Sequence, residues 1–242
     1  MIDTVLFDLD GTLLRYTQKA FLDTYLPELA KVFIGLGMDP EKSVKAVWAG
    51  TKAMTFNDGT KLNGCRFWET FASVMSLEKE SLSIIEEACD RFYSNEFSIL
   101  KTVLEPTDIP ERLVRSLASR GYYVVLATSP FFPECAITTR LEWVGLKPGD
   151  FQLVTHYYNS TFCKPNLDYY REIFAKINKT PDRCIMAGNN PTEDMCASQL
   201  GTQVFLVTDY MENESGVDIT QYRHGSLADL ETFLMSLPTI GV

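Results

Sequence analysis

Four short apolar runs, each ended by Gly, Asp or Thr, constrain this chain most: Thr4-Val5-Leu6-Phe7, Tyr122 to Ala127, Cys184 to Ala187 and Gln203 to Val207. Unbroken apolarity, rather than strict alternation, is what a strand shows when both faces of its sheet are covered. A fifth run, Phe151 to Thr155, is weaker. Helical spacing fills the intervals. Asp108-Ile109-Pro110-Glu111 reads as an N-terminal capping box with Pro in the first turn. Leu113, Val114, Leu117 and Ala118 then share a face, and Gly121 stands where a helix-ending glycine belongs. Tyr169, Ile173, Phe174 and Ile177 give a helix after Asn166, and Leu227, Leu230, Phe233, Leu234 and Leu237 give a last one. Strand and helix repeated from residue 108 to 237 predict an α/β fold with a parallel, doubly wound sheet.

Residues 16–105 are different. Their apolar positions recur at three and four (Phe21, Leu22, Tyr25, Leu29, Val32, Phe33; then Leu82, Ile85, Ala88, Phe92), with no convincing strand. A first crossover of that length is unusual, so the segment reads as a helical insert between a core of residues 1–15 and 106–242. Helices packed on the sheet as part of one domain are the plainer alternative.

Charge and composition narrow the function. The 242 residues carry 32 acidic and 22 basic side chains, a net charge of −10, with no basic run. A nucleic-acid partner needs clustered Lys and Arg and is not expected. The longest uncharged apolar stretch, Gly121 to Pro133, is too short to cross a bilayer. No basic stretch leads into an apolar one after Met1-Ile2-Asp3, so the cytosol is the expected compartment. The six cysteines form no CxxC pair and read as reduced thiols, and two histidines make a His-based zinc site improbable.

Directly after the first strand comes Phe7-Asp8-Leu9-Asp10-Gly11-Thr12. In an open parallel sheet, ligands bind beyond the carboxyl ends of the strands, where both aspartates fall. Alternation puts Asp8 and Asp10 on one side, and two like charges so close call for a cation or a proton. A calcium loop of the EF-hand type fails on spacing, because its Gly belongs at position six and here stands at four. A turn that merely ends a strand would leave the later motifs unexplained.

Those motifs make the chain resemble the haloacid dehalogenase (HAD) superfamily. Asp8-Leu9-Asp10-Gly11-Thr12 looks like its first motif, and Thr128, after Tyr123-Val124-Val125-Leu126-Ala127, looks like the second. Lys164, in Cys163-Lys164-Pro165-Asn166, resembles the third, and Ile185 to Gly188 followed by Asn189-Asn190-Pro191-Thr192-Glu193-Asp194 the fourth. The resemblance implies a Rossmann-type core, with residues 16–105 as a helical C1-type cap. It implies a magnesium-dependent phosphatase acting on a small phosphorylated metabolite. Asp8 would be the nucleophile that forms an aspartyl-phosphate and Asp10 the general acid and base, with Thr128 and Lys164 on the phosphate. Magnesium would sit among Asp8, the backbone carbonyl of Asp10, Asp194 and Asn189.

The fourth motif departs from the pattern. The superfamily usually places an Asp where Asn189 stands, and an amide oxygen brings a dipole instead of a charge. A catalytically weak or inactive binding protein, or a phosphomutase, therefore stays open as an alternative. The dehalogenase branch lacks the second aspartate and needs no metal. Glu193 reads as a first-turn helix carboxylate, and Ser129-Pro130 as a possible cap for a following helix. Asn57-Asp58-Gly59, Lys61, Arg66, Phe67 and Trp68 form a stretch that either faces the site or is a polar turn before a core aromatic helix.

Overall fold

The computed structural model describes residues 1–241. Six strands form one parallel sheet in the order β3-β2-β1-β4-β5-β6. They are β1 (Thr4–Phe7), β2 (Tyr123–Leu126), β3 (Leu153–Val154), β4 (Cys184–Gly188), β5 (Gln203–Val207) and β6 (Arg223–Gly225). The doubly wound expectation holds, and the strand order reverses at β1 and β4, where α/β sheets open a crevice.

The unbroken apolar runs have their reason in two cores. Val5, Phe7, Val124, Leu126, Ile185 and Ala187 face one cluster, while Leu6, Val125, Cys184 and Met186 face the other. Period-two alternation sends neighbouring residues to opposite sides, and both sides are buried. Helix α7 (Leu167–Ile177) covers the second face with Tyr169, Tyr170 and Ile173. Helices α5 (Ile109–Ser119), α6 (Glu134–Glu142) and α8 (Leu227–Ser236) contribute to the first.

Between β1 and α5 the chain forms α1 (Gln18–Gly35), α2 (Pro40–Thr55), α3 (Asn63–Met75), α4 (Lys79–Ser94) and a 3-10 stretch, Glu96–Val103. Where the chain leaves the sheet and returns to it, Glu105 donates its N–H to the Arg15 carbonyl at 2.9 Å, and the two side chains pair at 3.0 Å. The apolar cluster runs continuously from Phe7 through Phe21, Tyr25 and Phe97 to Phe33 and Phe71. Phe97 packs on Trp143 at 5.6 Å between ring centroids.

Two local readings are corrected, and one strand went unread. Asp108 makes no capping bond; its carboxylate turns to Arg112 at 2.7 Å, and the Thr107 hydroxyl accepts the Ile109 N–H instead. A complete capping box forms at α8, where the Ser226 hydroxyl accepts from Asp229 N–H and Asp229 accepts from Ser226 N–H. Strand β6 gave no sequence signal, because Arg223-His224-Gly225 is an edge segment without an apolar run. Ser129-Pro130 caps nothing: α6 begins after Pro133. Among the described residues all six cysteines are free, and no helix is long and apolar enough to cross a membrane.

Candidate active site

The end of β1 sets the geometry. Asp8 N–H donates to the Ala187 carbonyl at 2.8 Å, which carries the first aspartate just past the paired strands. Gly11 then turns the chain with φ +74°, and a Cβ there would lie 2.1 Å from the Asn189 amide nitrogen. Both the conformation and the close approach demand glycine. At Gly188, the end of β4, close approach alone excludes a side chain, since a Cβ would meet the Asp194 carboxylate at 2.2 Å.

The residues expected to act together do meet. Lys164 Nζ lies 2.8 Å from Asp8 Oδ1 and 2.6 Å from Asp194 Oδ1, and Lys164 is buried. The other Asp194 oxygen accepts the Asn190 N–H at 2.9 Å. Thr12 donates its hydroxyl to Asp8 Oδ2 at 3.3 Å and stands 3.5 Å from Asn189 Oδ1. The Asn189 amide donates to the Tyr210 carbonyl at 2.6 Å, which fixes its orientation. Thr128 lines the same cavity, and its carbonyl accepts from Thr155 at 2.7 Å and from Tyr169 at 2.9 Å.

Charge is unevenly met here. Burial pushes the Asp8 carboxyl up; Lys164 pulls it back, while Asp194 and Asp10 push it further up. The two carboxylates hold the Lys164 ammonium well above its ordinary range against the opposing effect of burial. Burial drives the Asp8 rise, and one cation shared between acids does not offset it: the lysine is over-served and Asp8 under-served. Burial raises Glu193 as well, and it raises Glu212 to about 7 with help from Glu193, Asp10 and Asp194.

Asp10 stands apart, in a clamp that sequence reasoning missed. Arg140 Nη1 donates to both carboxylate oxygens at 2.8 Å, and the Tyr16 hydroxyl donates to Oδ1. Arg140 is fully buried, its guanidinium 4.4 Å over the Phe132 ring, and its Nη2 has no partner. A signal existed: Ala136, Ile137, Arg140 and Leu141 recur at helical spacing, so the arginine sits on the apolar face of α6. Glu193 starts no α-helix, since a 3-10 segment, Met195–Leu200, follows. Its carboxylate instead accepts from the Ser129 hydroxyl at 3.3 Å and lines the cavity, as does Glu212.

The 57–68 stretch divides. Asn57, Lys61 and Asn63 form a polar turn, with Asn63 N–H on the Ser160 carbonyl and Asn57 Nδ2 on Asn63 Oδ1. Arg66 binds Asn57, Asp58 and Thr60. Phe67 and Trp68 alone of the stretch line the cavity.

The family model described as haloacid dehalogenase-like hydrolase matches residues 2–199. The chain belongs to that family. Among curated proteins none matches. Among solved structures, a HAD phosphatase from Thermococcus onnurineus is similar at 18% identity and TM-score 0.61, covering 99% of this chain and 100% of its own. The HAD-hydrolase YfnB from Bacillus subtilis, described as bound to magnesium, gives 19%, 0.58, 97% and 99%. The L-2-haloacid dehalogenase from Xanthobacter autotrophicus gives 15%, 0.56, 98% and 100%. Such identities establish a shared fold, and a fold that carries both phosphatase and dehalogenase leaves the reaction to the site.

The donor set suits a hard dication. Asp8 and Asp194 offer carboxylates, Asp10 a backbone carbonyl and Asn189 an amide oxygen, and the acids exceed the one lysine that serves them. Among the described residues no three His, Cys, Asp or Glu side chains form a ready cage, so such an ion would need water and substrate oxygens as well.

Proposed function

We propose that the protein is a magnesium-dependent phosphatase for a small phosphorylated compound, with residues 16–105 capping a core of 1–15 and 106–242. The observation that carries the reading is the convergence of Asp8, Asp194 and Lys164 beyond β1 and β4, with Asp10 clamped beside them. Asp8 attacks phosphorus, the ester P–O bond breaks, and the leaving oxygen takes a proton from Asp10. Water then displaces Asp8 from phosphorus, giving its proton to Asp10 and regenerating the site. Thr128 and Lys164 bind the phosphoryl oxygens.

Asp8, Asp194, Asn189 and the Asp10 carbonyl would hold magnesium, which supplies Lewis-acid charge to a phosphate oxygen. The magnesium described with YfnB supports that choice. Arg140 and Tyr16 are positioning residues: a two-point hold on Asp10 aims its carboxylate and leaves the proton transfer to that residue alone. The test is phosphate release from an aryl phosphate with magnesium and with chelator. Release that chelator abolishes supports the reading, whereas release indifferent to chelator, or none at any magnesium concentration, contradicts it.

One feature favours a second reading. Asn189 replaces a charge at the metal position and spends its amide on Tyr210, as a binding protein that had lost its metal would. Binding of a phosphate ester without magnesium, and without its hydrolysis, would favour it.

A further inference from the structure

The cavity that begins at Asp8 and Asp10 does not end there. It has a volume of about 390 Å³, inside the roughly 300–1,000 Å³ range of small-molecule sites, and it runs into the helices of the 16–105 segment. Helix α1 lines it with Phe21 and Leu29, α2 with Val47 and Trp48, and α3 with Phe67 and Phe71. Among the described residues that line it Lys164 is the single basic one, and that ammonium is already engaged by Asp8 and Asp194.

Four hydroxyls along this wall are already engaged with the protein itself. Tyr25 and Tyr93 bond each other at 2.6 Å. Thr51 donates to the Val47 carbonyl of its own helix, and Thr55 donates to that of Thr51. A sugar or a second phosphate placed here would lose water and find few free partners, which costs more than an apolar group would.

Resting on the phosphatase reading, we propose that the preferred substrates are monophosphates of an uncharged, apolar alcohol, whose chain or ring fills the space between α1, α2 and α3. The phosphoryl group stays at the charged mouth. Hydrolysis releases inorganic phosphate there and leaves the alcohol in the apolar end. The class departs from polar sugar phosphates in the side of the molecule that is recognised: the carbon skeleton, through buried area, instead of hydroxyls.

The test compares kcat/KM of the full chain with magnesium for butyl, hexyl and octyl phosphate against glycerol phosphate and ribose 5-phosphate. The expected result is a rise of about two- to fourfold per added methylene and a preference of more than about 100-fold for octyl phosphate over the polar esters. A Thr51→Trp variant, which narrows the apolar end, should flatten the chain-length trend. Phosphate release with no chain-length trend, or with the polar esters preferred, overturns the proposal while leaving the phosphatase reading intact. If no ester is hydrolysed, that reading fails, and calorimetric binding of butyl- and octylphosphonate to the wild type decides the present one. Tighter octylphosphonate binding supports it, and equal affinities overturn it.

Discussion

Strand β1 has an aspartate near each end, and the two are held in opposite ways. Asp3, at the start, accepts from the Thr4 hydroxyl at 2.7 Å, from Lys179 at 3.0 Å and from Arg183. Burial pushes its carboxyl up, but Thr4, Lys179 and Arg183 together hold it below the ordinary 3.8. Asp8, just past the other end, shares one lysine with Asp194 and is pushed above that value. Both residues are shielded from solvent, at 5% and 7% exposed, and burial pushes both carboxyls up. For Asp3 the hydroxyl and two cations outweigh that push, and for Asp8, more deeply set, the one shared lysine does not. Two cations on one acid make a clasp that closes the bottom of the sheet, and one cation among several acids makes a site with capacity left for a ligand.

Substitutions at the two ends should therefore separate activity from stability. The largest effect is expected for Asp8→Asn, which keeps the shape and removes the proposed nucleophile. Phosphate release should fall by more than about 1,000-fold, with the melting transition largely retained. Arg140→Met comes next. It frees Asp10 from its clamp and should lower kcat about 100-fold with KM little changed. A larger change in KM than in kcat would place Arg140 on the substrate instead of behind Asp10.

Asn189→Asp tests whether the under-met charge can be redistributed. The added carboxylate should lower the magnesium concentration for half-maximal rate about tenfold, and an unchanged value would remove Asn189 from the metal's surroundings. The smallest effect belongs to Asp3→Asn, with activity unchanged and about 1–2 kcal/mol lost at neutral pH. Its pH dependence has a definite sign. A carboxyl held below 3.8 in the fold stabilises fully above that value, and the benefit fades as pH falls through the folded-state value. The gap between wild type and variant should be full at neutral pH and should shrink as the solution is acidified below 3.8.

The sequence made the sheet legible because its strands are buried on both faces and so read as solid apolar runs. Edge strand β6 was illegible for the converse reason, and β3, two residues long, was only partly so. Asp8 and Asp10 could be picked out because they follow an apolar strand, whereas Thr128, Lys164, Asn189 and Asp194 stood out through the resemblance of their ordered motifs to those of the superfamily. Arg140 and Tyr16 belong to neither group. They become visible only when α6 and the start of the helical segment close over Asp10. The apolar cavity was hidden for a related reason: Phe21, Leu29 and Phe71 carry the pattern of core residues, and only packing shows that they also line a space.

The most direct test of the central claim, that the under-neutralised end of β1 performs the chemistry, is to identify the residue that carries phosphorus during turnover. Acid quench, borohydride reduction and peptide mass spectrometry convert a phosphorylated aspartate into homoserine. The account predicts homoserine at position 8 in the wild type and none in Asp8→Asn. Homoserine at another acid, or turnover with no residue converted, would contradict it.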